Sequence, residues 1–520
     1  MPLTGIDPLD PTPSTRRELI FGAGLSSAGT ARDVVLFGNR TAVGTETLDT
    51  LGIPIADDTD ARARFGLRSE LYNMYRKYVA VDPNATVYGV AVTESGGTAG
   101  SCTLTFATNA SGSTTLEVAV TGTVLSIPIA SGDTPTVVGA AVAAAINGGD
   151  EGMLMCTAAA VAGVVTITTI HLGDRGTFVI GDAGPVTRGI RARFLVTVAM
   201  TVVKAVVAPG ATADDFTAAI NSVANSEIYY QVSPIQLTNP SETDNQLGEH
   251  MAMIRTQSLP INGKDQVLVA GSIDTPTNAQ TSATDAQMNS VFGNMFHSEG
   301  NDWTPGMIAA HNAAVMRSQQ VKHPSANFAG YQNSDNTVYN IPDPFTIANR
   351  PTATEIRGML NNGVSPIAFS SKGKAYLVRH ITNRALGATA GGVTPTDYRA
   401  RSGHIPSAVH FAWALVRSKW ESQKQPFVAD DPKDGQLPTA RTSTPSQAKG
   451  ILLSVIAELT ASKPLGIYDG PILAPDKVDL MKKSIVVTKI TAGISASVDF
   501  YAAEHNYKAE STVRETSAAY

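Results

Sequence analysis

Two spacings of apolar residues take turns along this chain. Alternation at every second position, or a short unbroken apolar block, predicts a strand; recurrence at three and four predicts a helix. Residues 34–37 and 86–92 are short apolar blocks and read as buried strands. Residues 57–78 between them read as a loop followed by a helix. Ser69 is its expected N-cap, and Leu71, Met74, Tyr75 and Tyr78 form an apolar stripe that belongs in a core.

The texture changes at the glycine-rich stretch 94–100. Residues 101–190 are rich in threonine and in strands: 102–107 and 116–120 show period-two alternation, and 125–129 and 164–170 also read as strands. Thr121-Gly122 is an expected hairpin turn. Thr134 with Pro135 at the first helical position opens an alanine-rich helix to Asn147. Gly173-Asp-Arg-Gly176 reads as a loop. This stretch is expected to be an inserted β-rich domain, separable from the rest.

Beyond it, residues 194–203 read as a strand. Thr212 is expected to cap a helix over 213–224, with Asp214 and Asp215 in its first turn. Strands are expected at 227–232 and 266–270, with a helix near 242–255 between them. Such alternation implies a layered α/β domain.

Residues 354–384 read as helix, turn, strand, turn, strand. Thr354 is the expected N-cap, and Ile356, Met359 and Leu360 share one helical face. Asn361-Asn362-Gly363 stops the helix, because glycine accepts the left-handed conformation there. Lys372-Gly373-Lys374 is a tight turn between strands at 365–369 and 375–379. A long helix at 407–422 carries Val409, Trp413, Val416 and Trp420 on one face, with Arg417 and Lys419 off it. Residues 484–491 and 495–501 form an expected hairpin. The ends differ from this pattern. Residues 1–15 hold four prolines and are followed by a segment of strand character, Glu18-Leu-Ile-Phe-Gly-Ala23; residues 504–520 are polar and aperiodic.

Composition narrows the picture. The chain has 520 residues, enough for several domains, and a formal charge of −6, which argues against a general nucleic-acid binder. Residues 351–424 carry ten basic and three acidic side chains, so this stretch is +7 and the rest of the chain −13. A basic patch on an acidic protein suits an acidic partner. Cys102 and Cys156 form no metal motif and are expected as buried thiols in a reducing compartment. The start lacks a signal-peptide pattern, and the longest apolar run is too short to span a bilayer. His297, His311 and His323 have no metal-ligand spacing. Gly22-Ala-Gly24 lacks the third glycine of a dinucleotide fingerprint, since position 27 is Ser27. Ser407 and His410 lie close in sequence without a nucleophile elbow.

Several segments in order resemble contractile tail sheath proteins of myovirus-type bacteriophages, best the Mu-like branch. They are the helix, extended segment and turn leading into Tyr376-Leu-Val-Arg-His-Ile-Thr-Asn383; Trp303-Thr-Pro-Gly-Met before an alanine-rich helix over 308–317; Asp397-Tyr398 before the long helix; and Gln425-Pro-Phe-Val-Ala-Asp-Asp431 before Thr442-Ser-Thr-Pro445. The resemblance implies a mixed α/β (α+β) multidomain chain: a layered α/β core, an inserted β-rich outer domain, and extended arms at both ends. The expected division is a 1–30 arm, a first core part at 31–92, the insertion at 93–190, an α/β core domain at 191–345, a C-terminal sheath core at 346–502, and a 503–520 arm.

The resemblance further implies a non-enzymatic structural subunit without cofactors. It would polymerise with itself, as hexameric rings stacked around a tail tube, and meet the tube, baseplate and tail terminator proteins. Neither nucleic-acid binding nor membrane insertion is implied. The place is the virion tail, after assembly in the host cytoplasm. Donated strands would involve Glu18, Leu19, Ile20 and Phe21 at one end and Ile485, Val487, Val498 and Phe500 at the other. The tube-facing basic residues would be Lys372, Lys374, Arg399, Arg401, Arg417 and Lys419. The alternatives are a cytoplasmic α/β nucleotide-binding enzyme, resting on the Gly22–Gly29 loop, and a static virion shell or adhesin subunit, resting on the insertion.

Overall fold

The computed structural model describes residues 32–149, 154–181, 189–208, 210, 212–236, 246–258, 264–285, 287–321, 339–342 and 349–384. It also describes single positions between 402 and 454 and the backbone of strands at 427–428, 442–443, 486–490, 493–504 and 507–518.

The chain opens on β1 (Val34–Asn39), then α1 (Asp58–Phe65), α2 (Glu70–Val79) and β2 (Val87–Val92). Ser69 caps α2 as expected, its side chain accepting from the Tyr72 amide, and the whole apolar stripe is buried. Helix α1 was not foreseen: it has almost no apolar face, and its start is fixed by the Asp57 side chain accepting from the Asp60 amide. The β-rich stretch follows: β3 (Ala99–Ala107), β4 (Thr114–Val120), β5 (Thr123–Ile129), α3 (Pro135–Gly148), β6 (Cys156–Val161), β7 (Val164–Leu172), α4 (Arg175–Ile180), β8 (Arg191–Phe194) and β9 (Thr201–Ala208). The β4–β5 turn is the expected Thr121-Gly122, both at positive φ (45° and 81°), which matches the twist of a hairpin. Gly122 meets a second demand: a Cβ there would lie 2.7 Å from the Trp303 ring.

Three expectations in this region fail. Residues 194–203 are not one strand; β8 ends at Phe194, and β9 begins at Thr201. Both pair with the β-rich unit, in sheets ordered β6-β7-β3-β9 and β5-β4-β8. Gly173-Asp-Arg-Gly176 is not merely a loop, because Arg175 starts α4. Thr212 caps nothing and has a φ of 78°; α5 (Thr217–Val223) starts later, after Phe216. Asp214, read as a first-turn helix residue, is instead buried.

The remainder alternates as expected: β10 (Tyr230–Ser233), α6 (Gln246–Gln257), β11 (Val267–Ser272), α7 (Pro276–Thr284), β12 (Gly293–His297), α8 (Pro305–Gln320), α9 (Ala353–Asn361), β13 (Val364–Phe369) and β14 (Ala375–Leu377). The cap of α9 is Thr352, two residues before the expected Thr354, because Thr352 completes a capping box with Glu355. Short strands β15 (Phe427–Val428) and β16 (Thr442–Ser443) pair in parallel. Finally β17 (Val486–Ile490), β18 (Gly493–Glu504) and β19 (Tyr507–Ala518) form an antiparallel meander. The β17–β18 hairpin was expected; β19 replaces the aperiodic arm. Main-chain pairing needs no apolar face, so polarity alone did not exclude a strand.

The central sheet runs β14-β13-β12-β11-β10-β1-β2, parallel except for the edge strand β14. A parallel sheet is covered on both faces, and β1 shows why its run is unbroken. Val34 and Leu36 enter one core with α2, α8 and the β-rich unit. Val35 and Phe37 enter a second core with α5, α6, α7 and Met359 of α9. The first core is continuous from Val34 and Tyr72 to Cys102, Leu104, Val165 and Ile167. Among the described residues no helix is long and apolar enough to cross a membrane.

Three buried histidines give this core a pH dependence. Burial lowers His250 to about 3, His297 to about 4 and His311 to about 3. The folded chain refuses protons that the unfolded chain accepts near 6.5. Their contribution is therefore complete above that pH and is lost as pH falls toward 3–4. Each group costs about 1.4 kcal/mol per pH unit, so three cost roughly 4 kcal/mol at pH 5.5. Asp302, raised by burial to about 6, acts in the opposite sense: it favours the fold below pH 3.8 and loses that effect as pH rises through 6. Urea midpoints should fall between pH 7.5 and 5.5, and His311→Phe should flatten that slope. An unchanged slope in the variant would assign the acid lability to other groups.

Candidate functional site

The sequence singled out the unit from α9 to β14, and it folds as a rigid edge. Helix α9 ends at Asn362 with Gly363 at φ 79°, and β13 enters the sheet beside β12. The chain then reverses. Gly373, at φ 73°, donates to the Ser370 carbonyl at 2.9 Å, and the Lys374 amide reaches Ser370 Oγ at 3.1 Å. This tight turn leaves Lys372 and Lys374 exposed at the tip of the sheet's edge hairpin. Neighbouring basic residues behave differently. Arg379 donates to Ser402 Oγ at 2.8 Å, so it is engaged within the subunit. Lys419 is half-buried. Arg399, Arg401 and Arg417 lie outside the described residues, as do Glu18, Leu19, Ile20, Phe21 and Ile485. Val487 falls on β17, and Val498 and Phe500 on β18, where only the backbone is described. The described part of the long helix buries Phe411, Ala414 and Leu415; the expected stripe of Val409, Trp413, Val416 and Trp420 lies outside the described residues.

Where the first and third core strands part, the structure builds a second constellation that the sequence reading missed. In sequence the parallel strands run β1, β2, β10, β11, β12, β13, but in space β1 lies between β2 and β10. At such a switch point a crevice opens at the carboxyl ends of the strands, which is where doubly wound folds bind ligands. Here protein groups fill it. Arg175 of α4, buried, donates to the Pro234 carbonyl just beyond β10 at 2.7 Å. Its guanidinium lies 3.7 Å from the Glu70 carboxylate and 3.5 Å from Asp174, with Phe216 stacked 5.3 Å away. The Glu70 amide, at the start of α2, donates to His171 Nε2 at 2.8 Å, and the other ring nitrogen pairs with Glu94. Asn39, at the end of β1, donates to Asp214 at 2.8 Å, and Asp214 also accepts from the Ser95 amide.

The charges at this junction depend on one another. Burial raises the Glu70 carboxyl, and Arg175 with His171 opposes that rise. Burial likewise works against the Arg175 charge, but Glu70, Asp174 and Asp214 together carry its pKa upward, so the guanidinium stays ionised. Close backbone approach makes this possible. A Cβ on Gly176 would lie 2.7 Å from the Gly100 amide nitrogen, so only glycine lets α4 lie flat on β3. A second buried pair, Arg191 with Asp302, ties β8 to the loop before α8. The one legible signal was a lone arginine between glycines, ahead of the apolar run Phe178-Val-Ile180.

At the opposite, amino end of the sheet, Arg32 bridges β10, α8 and the C-terminal helix. It donates to Gln320 at 3.0 Å and to Ser407 Oγ at 2.8 Å. His410 pairs with Asp265 at 2.9 Å and stacks on Tyr229. Ser407 and His410 thus serve attachment. His297 Nε2 donates to the Asp274 carbonyl at 2.7 Å, and no metal-binding cluster of His, Cys, Asp and Glu occurs among the described residues.

No protein-family model matches this chain, and no curated protein matches it in sequence. Among solved structures it is similar to a sheath tail protein from Desulfitobacterium hafniense, with 13% identity over 97% of this chain and 99% of that one and a TM-score of 0.45. A likeness of that size does not extend to function.

Removing one partner of a buried ion pair leaves the other uncompensated, at about 3–5 kcal/mol. Arg175→Met should therefore lower unfolding stability by about that amount in urea titrations. Adding Glu70→Gln to it should recover a large part of the loss. If the single variant is as stable as the parent, Arg175 does not hold the junction.

Proposed function

We propose that this chain is the repeating subunit of a contractile phage tail sheath. It would polymerise as stacked six-membered rings around a tail tube, and shorten when triggered to drive the tube through the host envelope. The observation that carries this reading is the edge hairpin of residues 364–377. It belongs to the segment with the fullest resemblance to sheath proteins, and it presents Lys372 and Lys374 to solvent on the basic portion of an acidic chain. The C-terminal meander supports it too, because open strand edges suit pairing with an arm from another subunit. Tube, baseplate and terminator contacts, assembly in the host cytoplasm and residence in the virion tail follow from the same reading. The nucleotide-binding alternative is not favoured, since the switch-point crevice is filled by Arg175, Glu70, Asn39 and Asp214. Negative-stain images of purified protein provide the direct test: striated tubes support a sheath, and uniform small particles argue for another role.

Two further outcomes follow. Deleting residues 1–24 should leave a cooperatively folded monomer that forms no tubes; normal polymerisation would refute strand donation by Glu18–Phe21. Charge reversal at Lys372, Lys374, Arg399 and Arg401 together should weaken binding to tail tubes by about tenfold or more, with tube-free polymerisation intact. Exposed pairs are each worth ~0–1 kcal/mol and are screened over roughly 8–10 Å at physiological salt. Cosedimentation at several salt concentrations measures this, and an unchanged salt dependence would direct the basic face elsewhere.

A further inference from the structure

We propose that His171 is a proton-operated latch: neutral, it holds the β-rich unit to the start of α2; protonated, it lets go. His171 is buried near the end of β7, the strand that leads into α4. The main core grips its ring on two sides. Nε2 accepts from the Glu70 amide at 2.8 Å, and Nδ1 meets the Glu94 carboxylate in the link that follows β2. A turned-over ring would place carbon at both contacts, so both partners select this orientation.

The same two partners fix the proton. A backbone N–H only donates, so Nε2 must present its lone pair. A carboxylate only accepts, so Nδ1 carries the hydrogen. The latch therefore exists in one form, the neutral ring protonated on Nδ1. A second proton has one place to go, Nε2, and there it faces the Glu70 hydrogen. The contact becomes repulsive, and the positive end of the α2 dipole adds to the repulsion. Imidazole is the side chain that gains a proton between about pH 5 and 8, so mild acidification acts on this contact.

Charged groups reach the surroundings of the ring from the neighbouring elements: Glu94 after β2, Glu70 on α2, Arg175 with Asp174 on α4, and Asp214 ahead of α5. Four carboxylates against one guanidinium favour a charged ring. Against the charge stand burial and the Glu70 amide. Protonation is therefore met by giving up the bond to that amide. A cavity of about 10 Å³ bordered by His171, Glu70, Arg175 and Thr304 lets the ring tilt toward the Glu70 carboxylate. Release frees the end of β7 from α2, on the seam between the β-rich unit and the main sheet. The bond from Arg175 to Pro234 stays in place, so the seam loosens at one point without coming apart. This latch does not depend on the tail-sheath reading.

Hydrogen exchange on the full-length chain from pH 7.5 to 5, corrected for the intrinsic rate, reads the latch at the Glu70 amide. Exchange at the carbon between the two ring nitrogens of His171 reads its titration in the same samples. Protection of Glu70 should fall about tenfold for each pH unit below the midpoint of the ring, beyond any change in β11, which reports the whole fold. Protection that holds while the ring titrates, or a ring that takes no proton above pH 5, overturns the proposal. His171→Gln supplies a neutral acceptor that does not titrate, and it should keep Glu70 protected across the range; the parent's pH dependence surviving in it also overturns the latch. Glu94→Gln keeps an acceptor for Nδ1 but removes its charge, so release should begin at lower pH. That variant decides the matter even where His171→Gln folds poorly, since an unmoved midpoint in it overturns the latch.

Discussion

The structure depends on one constraint: a parallel sheet must be covered on both faces and closed at its switch point. Strand β1 answers the first demand through alternation, sending Val34 and Leu36 to one core and Val35 and Phe37 to the other. Arg175 answers the second. It arrives on α4, from the β-rich unit, and settles against Pro234, Glu70 and Phe216 where β1 and β10 diverge. A charge in that position is tolerable because three carboxylates surround it. Removing the guanidinium would leave the buried Glu70 carboxylate without its cationic partner.

That arrangement joins the two parts of the molecule. The β-rich unit shares the core that covers one face of the main sheet, and its α4 supplies the plug for the crevice. Gly100 and Gly176 permit the contact by bringing two backbones together, and Arg191 with Asp302 repeats the charge pairing elsewhere on the boundary. The usual ligand position of a doubly wound sheet is thereby spent on cohesion. Among the described residues, β14 ends the main sheet in a hairpin with two exposed lysines, and β9 ends its own sheet. Edges present main-chain donors and acceptors that need no particular side chain.

The sequence by itself determined the elements whose cause is local. Ser69 and Thr134 place helix starts because their side chains satisfy the nearest free amides. Thr121-Gly122 and Lys372-Gly373-Lys374 place turns because glycine accepts positive φ. The apolar stripe of α2 and the hairpin of residues 364–377 were legible for the same reason, and so was the exposure of Lys372 and Lys374. Tertiary structure decided whatever depends on distant partners. Thr212 and Asp214 carry a plausible helix-start signal, yet Asn39 and Ser95 claim Asp214, and the helix begins later. The stretch 194–203 looks like one strand, but β4 and β3 pull its ends into different sheets. Arg175 reads as a loop residue until β1, β10 and α2 converge on it. A local pattern encodes backbone preference and which face is apolar; it does not encode which buried charge will need a partner more than 100 residues away.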